Sequence, residues 1–399
     1  MRFYSVMTQS RHISLYLLVF LFFLSLLVVC AEAAPAAQQH KYWVYVGTYT
    51  AEGSTSKGIY TYRFDAATAE LTSVGLAAET TNPSFLAAHP NHRFLYAVNE
   101  VSNYKGEKSG AVSAFAIDRA NGKLTLLNQV ASKGADPAYI TVDKSGKYVL
   151  VANYTGGSIA VFPVLEDGRL GEASAFIQRT GHGSDPQRQE GPHAHSIDLS
   201  PDNRFAIVDD LGLDETLVYK FDSLKGSLTP NDPPFAKADQ GAGPRHFALR
   251  PDGKFAYVVN EMAATVSVFS YDGAAGVMRP LQSISTLPRG FDGAKEDAEI
   301  EVHPSGKFLY ASNRGHDSIA VFAIDANQGT LTLIEYASTK GQTPRSFEIS
   351  PGGALLFAAN EKSDNIVVFR IDQKSGRLTA TGKVLDVAEP VCVKFVPID

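Results

Sequence analysis

Five short stretches of the sequence hold the side chains best suited to chemistry. They are GPHAHS with His193 and His195, GPRH with Arg245 and His246, VVNE with Glu261, SNRG with Asn313 and Arg314, and TPRS with Arg345. Histidines two apart in a strand share a face. His193 and His195 are therefore expected to point into one cavity, as a metal pair, an acid/base pair or punctuation before an apolar run. An imidazole exchanges protons near neutrality, and a guanidinium grips oxyanions through charge-assisted hydrogen bonds.

Metal and covalent chemistry find little support in the residue patterns. A zinc site built on His193 and His195 needs a third ligand, for which His182, His246 or Asp210 is available, but there is no H-E-x-x-H motif and no cysteine cluster. Calcium would meet the cations Arg245 and Arg314, and no EF-hand-like loop is present. The sequence contains no G-x-S-x-G nucleophile elbow, Walker loop or dinucleotide-binding glycine pattern. What remains is a site for an anion, with a histidine acting on water or on a substrate carbon and no cofactor.

The elements that position these residues form a repeat. A proline, an alternating strand, a turn containing Pro and Gly or Asn, and a second strand recur in PSFLAAHPNHRFLYAVNE, PAYITVDKSGKYVLVANY, PHAHSIDLSPDNRFAIVDD, PRHFALRPDGKFAYVVNE, AEIEVHPSGKFLYASNR and PRSFEISPGGALLFAANE. A third strand and usually a fourth follow, joined by a D-x-x-x-G-x-L turn in which Gly supplies backbone freedom. Four short strands per unit at this spacing predict propeller blades.

PVCVKFVPID near the end matches only a first strand, whereas KYWVYVGTYT matches a second and GIYTYRFDAATAELTSVG the third and fourth. Joined, they complete a seventh blade and close the ring by strand pairing. The expected fold is all-β: a single seven-bladed propeller of four-stranded antiparallel blades over residues 38–399.

Adjacent strands run antiparallel, so the start of strand one, the end of strand two and the start of strand three meet at one mouth. That mouth is expected to gather His193, His195, Arg245, His246, Glu261, Asn313, Arg314 and Arg345. Asn99, Asn153, Asn260, Asn313 and Asn360 recur at the end of strand two, which reads as a turn-capping device. Residues that break the repeat have no such explanation: one copy carries H-x-H, one a histidine after its arginine, one an arginine after its asparagine. Long connections, FIQRTGHGSDPQRQEG among them, lead to the same mouth.

The formal net charge of -6 and the absence of a basic block beyond the first dozen residues argue against nucleic acid as a partner. Residues 1–37 read as a basic n-region, an apolar run over residues 13–29 and a small-residue cleavage zone, either a signal peptide or an uncleaved membrane anchor. The soluble propeller is then expected in an exported compartment, periplasmic or secreted. Cys30 and Cys392 are the two cysteines, so the processed chain has no internal disulfide. A closed ring with few free edges is expected to be a monomer.

YVGTYT, GPHAHS, GPRHFALRPDGKFAYVVNE and SNRGHDSIAVF, in that order, resemble the lactonase family of seven-bladed propellers. It includes 6-phosphogluconolactonase and 3-carboxy-cis,cis-muconate lactonizing enzyme. The resemblance implies a metal-independent lactonase site built from His195, Arg245, Glu261 and Arg314. His195 would be the general acid/base, while Arg245 and Arg314 bind the anion and oxyanion and Glu261 orients an arginine or shares the proton work. His193, His246, Arg345 and Asn313 would support or contact the substrate.

Hydrolysis of a small anionic or sugar-derived lactone is the leading expectation. A cycloisomerase that forms a lactone from an unsaturated acid would use the same residues, and an exported non-catalytic propeller binding carbohydrate or protein would use the same scaffold.

Overall fold

The computed structural model describes residues 41–398. The leader or anchor expected over residues 1–37 lies outside the described residues. Seven four-stranded antiparallel sheets follow one another along the chain, and the sole helical element among the described residues is the short turn Glu361–Ser363. No helix among them is long and apolar enough to cross a membrane.

The closing blade takes its innermost strand, Pro390–Pro397, from one end of the propeller sequence and Lys41–Thr48, Gly58–Asp65 and Glu70–Glu79 from the other. Tyr42 pairs with Pro397, Val44 with Phe395 and Val46 with Val393. Backbone hydrogen bonding thus covers both edges that would otherwise be open at the seam.

The innermost strands touch one another around the whole ring, each packing against those of its two neighbouring blades. Second strands such as Phe94–Asn99, Tyr148–Asn153, Phe255–Asn260 and Phe308–Asn313 are buried at every residue. They lie between blades, which is why they read as continuous apolar runs. Outermost strands such as Leu124–Ala131 and Val277–Ser285 are largely exposed or half-buried.

Polar bonds between blades repeat with the sequence. The hydroxyls of Tyr45, Tyr96, Tyr257 and Tyr310 donate to the carbonyls of Gly122, Gly168, Gly329 and Gly376 at 3.0, 3.1, 3.0 and 2.8 Å. Each joins a second strand to a turn of the neighbouring blade. His89 and His303 likewise place Nε2 2.9 Å from the carbonyls of Gly146 and Gly353. These two histidines belong to the scaffold.

Candidate active site

Strand pairing brings the ends together as the repeat predicts. Ala194 pairs with Asp210 and Asp210 with Glu215, Pro244 with Asn260 and Asn260 with Thr265, Asp297 with Asn313 and Asn313 with Ser318. The innermost strands also slip in register near their starts, between Ala194 and Ser196, Pro244 and His246, Asp297 and Ile300, and Pro344 and Ser346. A bulge places an extra residue on one strand and re-aims its side chains. Here it lets the consecutive Arg245 and His246 both line the same cavity, where strict alternation would send one away.

That cavity is lined by Ser84, Phe85, Glu100, His195, Arg245, His246 and Arg345, with Ala138 and Val391. Its volume is about 10 Å³, enough for roughly one water molecule. A much larger groove of about 670 Å³ lies between Ile284, Leu287, Phe291, Leu333 and Tyr336. It is lined by the cations Arg289 and Lys295 but by no histidine or carboxylate, so chemistry rather than size identifies the small cavity as the candidate site.

Glu261 directly follows the second strand of the fourth blade, Phe255–Asn260, and joins three arginines. Its Oε2 accepts from Arg245 Nε at 3.0 Å and lies 2.9 Å from Arg314 Nη2, while Oε1 accepts from Arg188 Nη2 at 2.5 Å. Burial by itself would raise the Glu261 carboxyl, but Arg314, Arg245 and Arg188 outweigh it and hold the group at about 2. It is a carboxylate at any working pH.

Arg245 directs Nη1 to the Ala298 carbonyl at 2.5 Å and to His246 Nε2 at 3.1 Å, in addition to its Nε bond to Glu261. A guanidinium has five N–H bonds. The two on Nη2 find no acceptor among the described residues, although the side chain is only 3% exposed. Burial, then Arg345 and Arg314, pull Arg245 down to about 10, which leaves it charged at neutral pH.

His246 places Nδ1 2.8 Å from Glu299 Oε1. Its ring meets Tyr139, His195 and Phe85 edge-on, with centroids 5.0, 5.1 and 5.7 Å away. Burial pushes it down to about 4, with Glu299 opposing and Arg245 reinforcing that shift.

His195 is fully enclosed. Burial first, and then Arg245, His246, Arg345 and Arg314, hold it well below the usual histidine range. Its Nδ1 has no hydrogen-bond partner among the described residues. A neutral imidazole with an unengaged nitrogen, facing a cavity lined by guanidinium groups, is equipped to handle a proton.

His193 departs from the two-apart expectation. The strand begins at Ala194, so His193 precedes it and does not line the cavity. Its ring stacks on Tyr154 at 4.7 Å and its Nε2 lies 3.3 Å from Glu190 Oε1, while His195 meets the same tyrosine edge-on at 5.4 Å. Tyr154, rather than strand alternation, brings the two histidines together.

Arg345 lies over the Tyr49 ring at 5.3 Å from its centroid. The Tyr49 hydroxyl in turn donates to Glu100 at 3.0 and 3.1 Å. Burial would lower Arg345, but Tyr49, Glu100, Glu361 and Glu261 raise it above the usual arginine range. Arg314 also donates from Nη2 to the Asp297 carbonyl at 3.2 Å. Asn313 donates to the Thr286 carbonyl at 3.0 Å, as Asn153 does to that of Ser132, so its amide ties a second strand to the segment just after the outermost strand of the preceding blade.

Arg188 and Glu299 escaped the sequence reading. Arg188 stands in the long connection before Pro192, where buried Gln189 clips the loop by accepting from Ser184 and Asp185 and donating to Leu211 and Asp214. The loop's length was a signal, but its reach to Glu261 was not. Glu299 sits inside an innermost strand, and an acid in AEIEV offered a weak cue. Among the described residues, no group of three or more His, Cys, Asp or Glu is arranged to hold a metal ion.

The family described as Lactonase, 7-bladed beta-propeller matches residues 43–395. The chain is 39% identical to a 6-phosphogluconolactonase of Bacillus subtilis (strain 168) over 355 residues, covering 89% of this chain and 98% of that one. A 6-phosphogluconolactonase of Formosa agariphila is 36% identical over 312 residues, or 76% of this chain and 85% of the relative. Among solved structures, the periplasmic gluconolactonase of Pseudomonas aeruginosa superposes with a TM-score of 0.83 at 35% identity, covering 90% of this chain and 100% of that one. Sequence and structure together place this chain in the lactonase family of seven-bladed β-propellers.

Proposed function

We propose that the protein hydrolyses a small anionic or sugar-derived lactone, in the manner of a 6-phosphogluconolactonase. The observation that carries this reading is the convergence on one cavity of neutral His195, the unengaged Nη2 of Arg245 and the guanidinium of Arg345. The names of the relatives support it.

In this scheme water attacks the lactone carbonyl while His195 takes its proton. Negative charge gathers on the former carbonyl oxygen, where Arg245 Nη2 meets it with donors already oriented by Glu261 and Ala298. Collapse breaks the ring C–O bond, and the imidazolium returns its proton to the leaving alkoxide. The product is the open hydroxy acid. Arg345 holds the substrate's own anionic group, and Glu261 with Arg314 positions Arg245.

The low basicity of His195 is consistent with an anionic substrate. Without ligand, neighbouring cations oppose its protonation. An anion on Arg345 or Arg245 offsets that field and raises the imidazole toward the range useful at neutral pH. Substrate binding thereby switches on the base.

The proposal extends to residues 1–37 as an export leader, cleaved or retained through residues 13–29 as an anchor, and to a monomeric propeller. A pH-stat assay on freshly generated 6-phosphogluconolactone and unphosphorylated gluconolactone, with and without chelator, tests the reaction. Chelator-resistant opening that Glu261 and Arg245 substitutions reduce and His195→Ala abolishes is expected. Equal rates for wild type and His195→Ala would remove the mechanism.

A further inference from the structure

We infer that Glu299 and His246 form a buried positioning pair that orients Arg245, with His246 held as the Nδ1–H tautomer. The inference rests on lactone hydrolysis as the reaction, but its structural half can be tested apart from any activity.

The hydrogen-bond chain has one consistent direction. Arg245 Nη1 carries only donors, so at 3.1 Å His246 Nε2 must accept. Glu299 Oε1 is 2.8 Å from Nδ1, and as a carboxylate oxygen it must receive the proton there. His246 is therefore neutral, protonated on Nδ1 and bare on Nε2. The opposite tautomer would place two donors face to face at Nε2 and leave the Nδ1 lone pair against a carboxylate.

Glu299 is itself fixed in place. Its backbone N–H donates to Ser312 Oγ at 2.9 Å, and its Oε1 also accepts from the Ile300 N–H at 3.1 Å. The register shift between Asp297 and Ile300 places it there. Glu299, His246 and Arg245 are all buried, with side-chain exposures of 10%, 4% and 3%.

The consequence for chemistry lies in the geometry of Arg245. Glu261 holds Nε, while Ala298 and His246 hold the two N–H bonds of Nη1. Together these contacts fix the plane of the guanidinium and present Nη2 to the cavity. Loss of the Nε2 acceptor frees one edge of the plane and turns Nη2 away from the developing oxyanion. His246 and Glu299 act through Arg245 and are positioning residues.

The test uses the full chain labelled with ¹⁵N at histidine, the Glu299→Gln and Glu299→Asp variants, and steady-state hydrolysis. The wild-type His246 spectrum should show a protonated Nδ1 and a bare Nε2 near neutral pH. Glu299→Gln should introduce the Nε2–H form and lower kcat by about tenfold to a hundredfold, with KM changed far less and melting retained. Glu299→Asp should recover part of the kcat loss.

An Nε2–H signal for His246 in the wild type would overturn the inference, and so would a folded Glu299→Gln protein with wild-type kcat. If Glu299→Gln does not fold, the wild-type tautomer still decides. Absence of lactone turnover by the wild type would instead overturn the proposed reaction, with the tautomer reported independently by the spectrum.

Discussion

Arg245 and Glu261, sixteen positions apart in the chain, meet across the mouth of the fourth blade with Nε 3.0 Å from Oε2 and side chains only 3% and 8% exposed. Their strands pair through Pro244 and Asn260, so each of the two residues stands one position beyond a paired backbone site. The ladder determines where both side chains emerge. Two further arginines on the same carboxylate make it the hub of the site.

Glu261→Gln should destabilise the protein by about 3–5 kcal/mol, because it leaves buried guanidinium groups without their counter-ion. Urea denaturation near neutral pH measures this. A loss below about 1 kcal/mol would mean that the arginines find other partners.

The same residue sets a pH dependence. Its folded carboxyl is held at about 2, below the value of 4.5 that it takes in the unfolded chain. The contribution is therefore present above about pH 4.5 and is lost as pH falls through that value toward about 2. Acid denaturation curves should separate wild type from Glu261→Gln at neutral pH and converge in strong acid. Parallel curves down to the lowest pH would contradict this linkage.

His195 should remain neutral through the range in which free histidine titrates, since burial and the neighbouring cations depress it. Histidine NMR should show no His195 titration between about pH 6 and 7 in the free protein. Addition of 6-phosphogluconate should move its titration upward. Ordinary titration without ligand would show that the arginines do not govern it.

Arg345→Gln should raise KM for the phosphorylated lactone by about tenfold, the equivalent of roughly 1.4 kcal/mol. The effect on unphosphorylated gluconolactone should be much smaller. Because its guanidinium lies on Tyr49 and the carboxylates of Glu100, Glu361 and Glu261 favour its charge, the variant should also melt below wild type. Equal effects on both substrates would remove its role in anion selection.

Tyr257→Phe should cost about 1 kcal/mol by deleting the 3.0 Å bond to the Gly329 carbonyl. Lactone turnover at low temperature should be unaffected. A large kcat loss in a folded variant would reveal coupling between the blade interface and the catalytic mouth.

Much of the architecture was legible in the sequence because a propeller repeats its pattern. GKFAYVVNE, GKFLYASNR and their counterparts each encode a second strand and its preceding turn, and the complementary segments KYWVYVGTYT and PVCVKFVPID encode ring closure. Departures from that pattern singled out His193, His195, His246 and Arg314, and the family resemblance added Arg245 and Glu261. Antiparallel pairing then required their backbone positions to share one end of the ring.

Tertiary structure decided which side chains meet among those positions. A bulge turned both Arg245 and His246 into one cavity, and Tyr154 gathered His193 and His195 on its ring. Arg188 reached Glu261 from a loop, and Glu299 met His246 from the adjacent blade. Local sequence encodes strand periodicity because that depends on nearest neighbours along the chain. Ångström-scale partnerships between side chains depend on how separate blades and loops pack, and they exist only once the ring has closed.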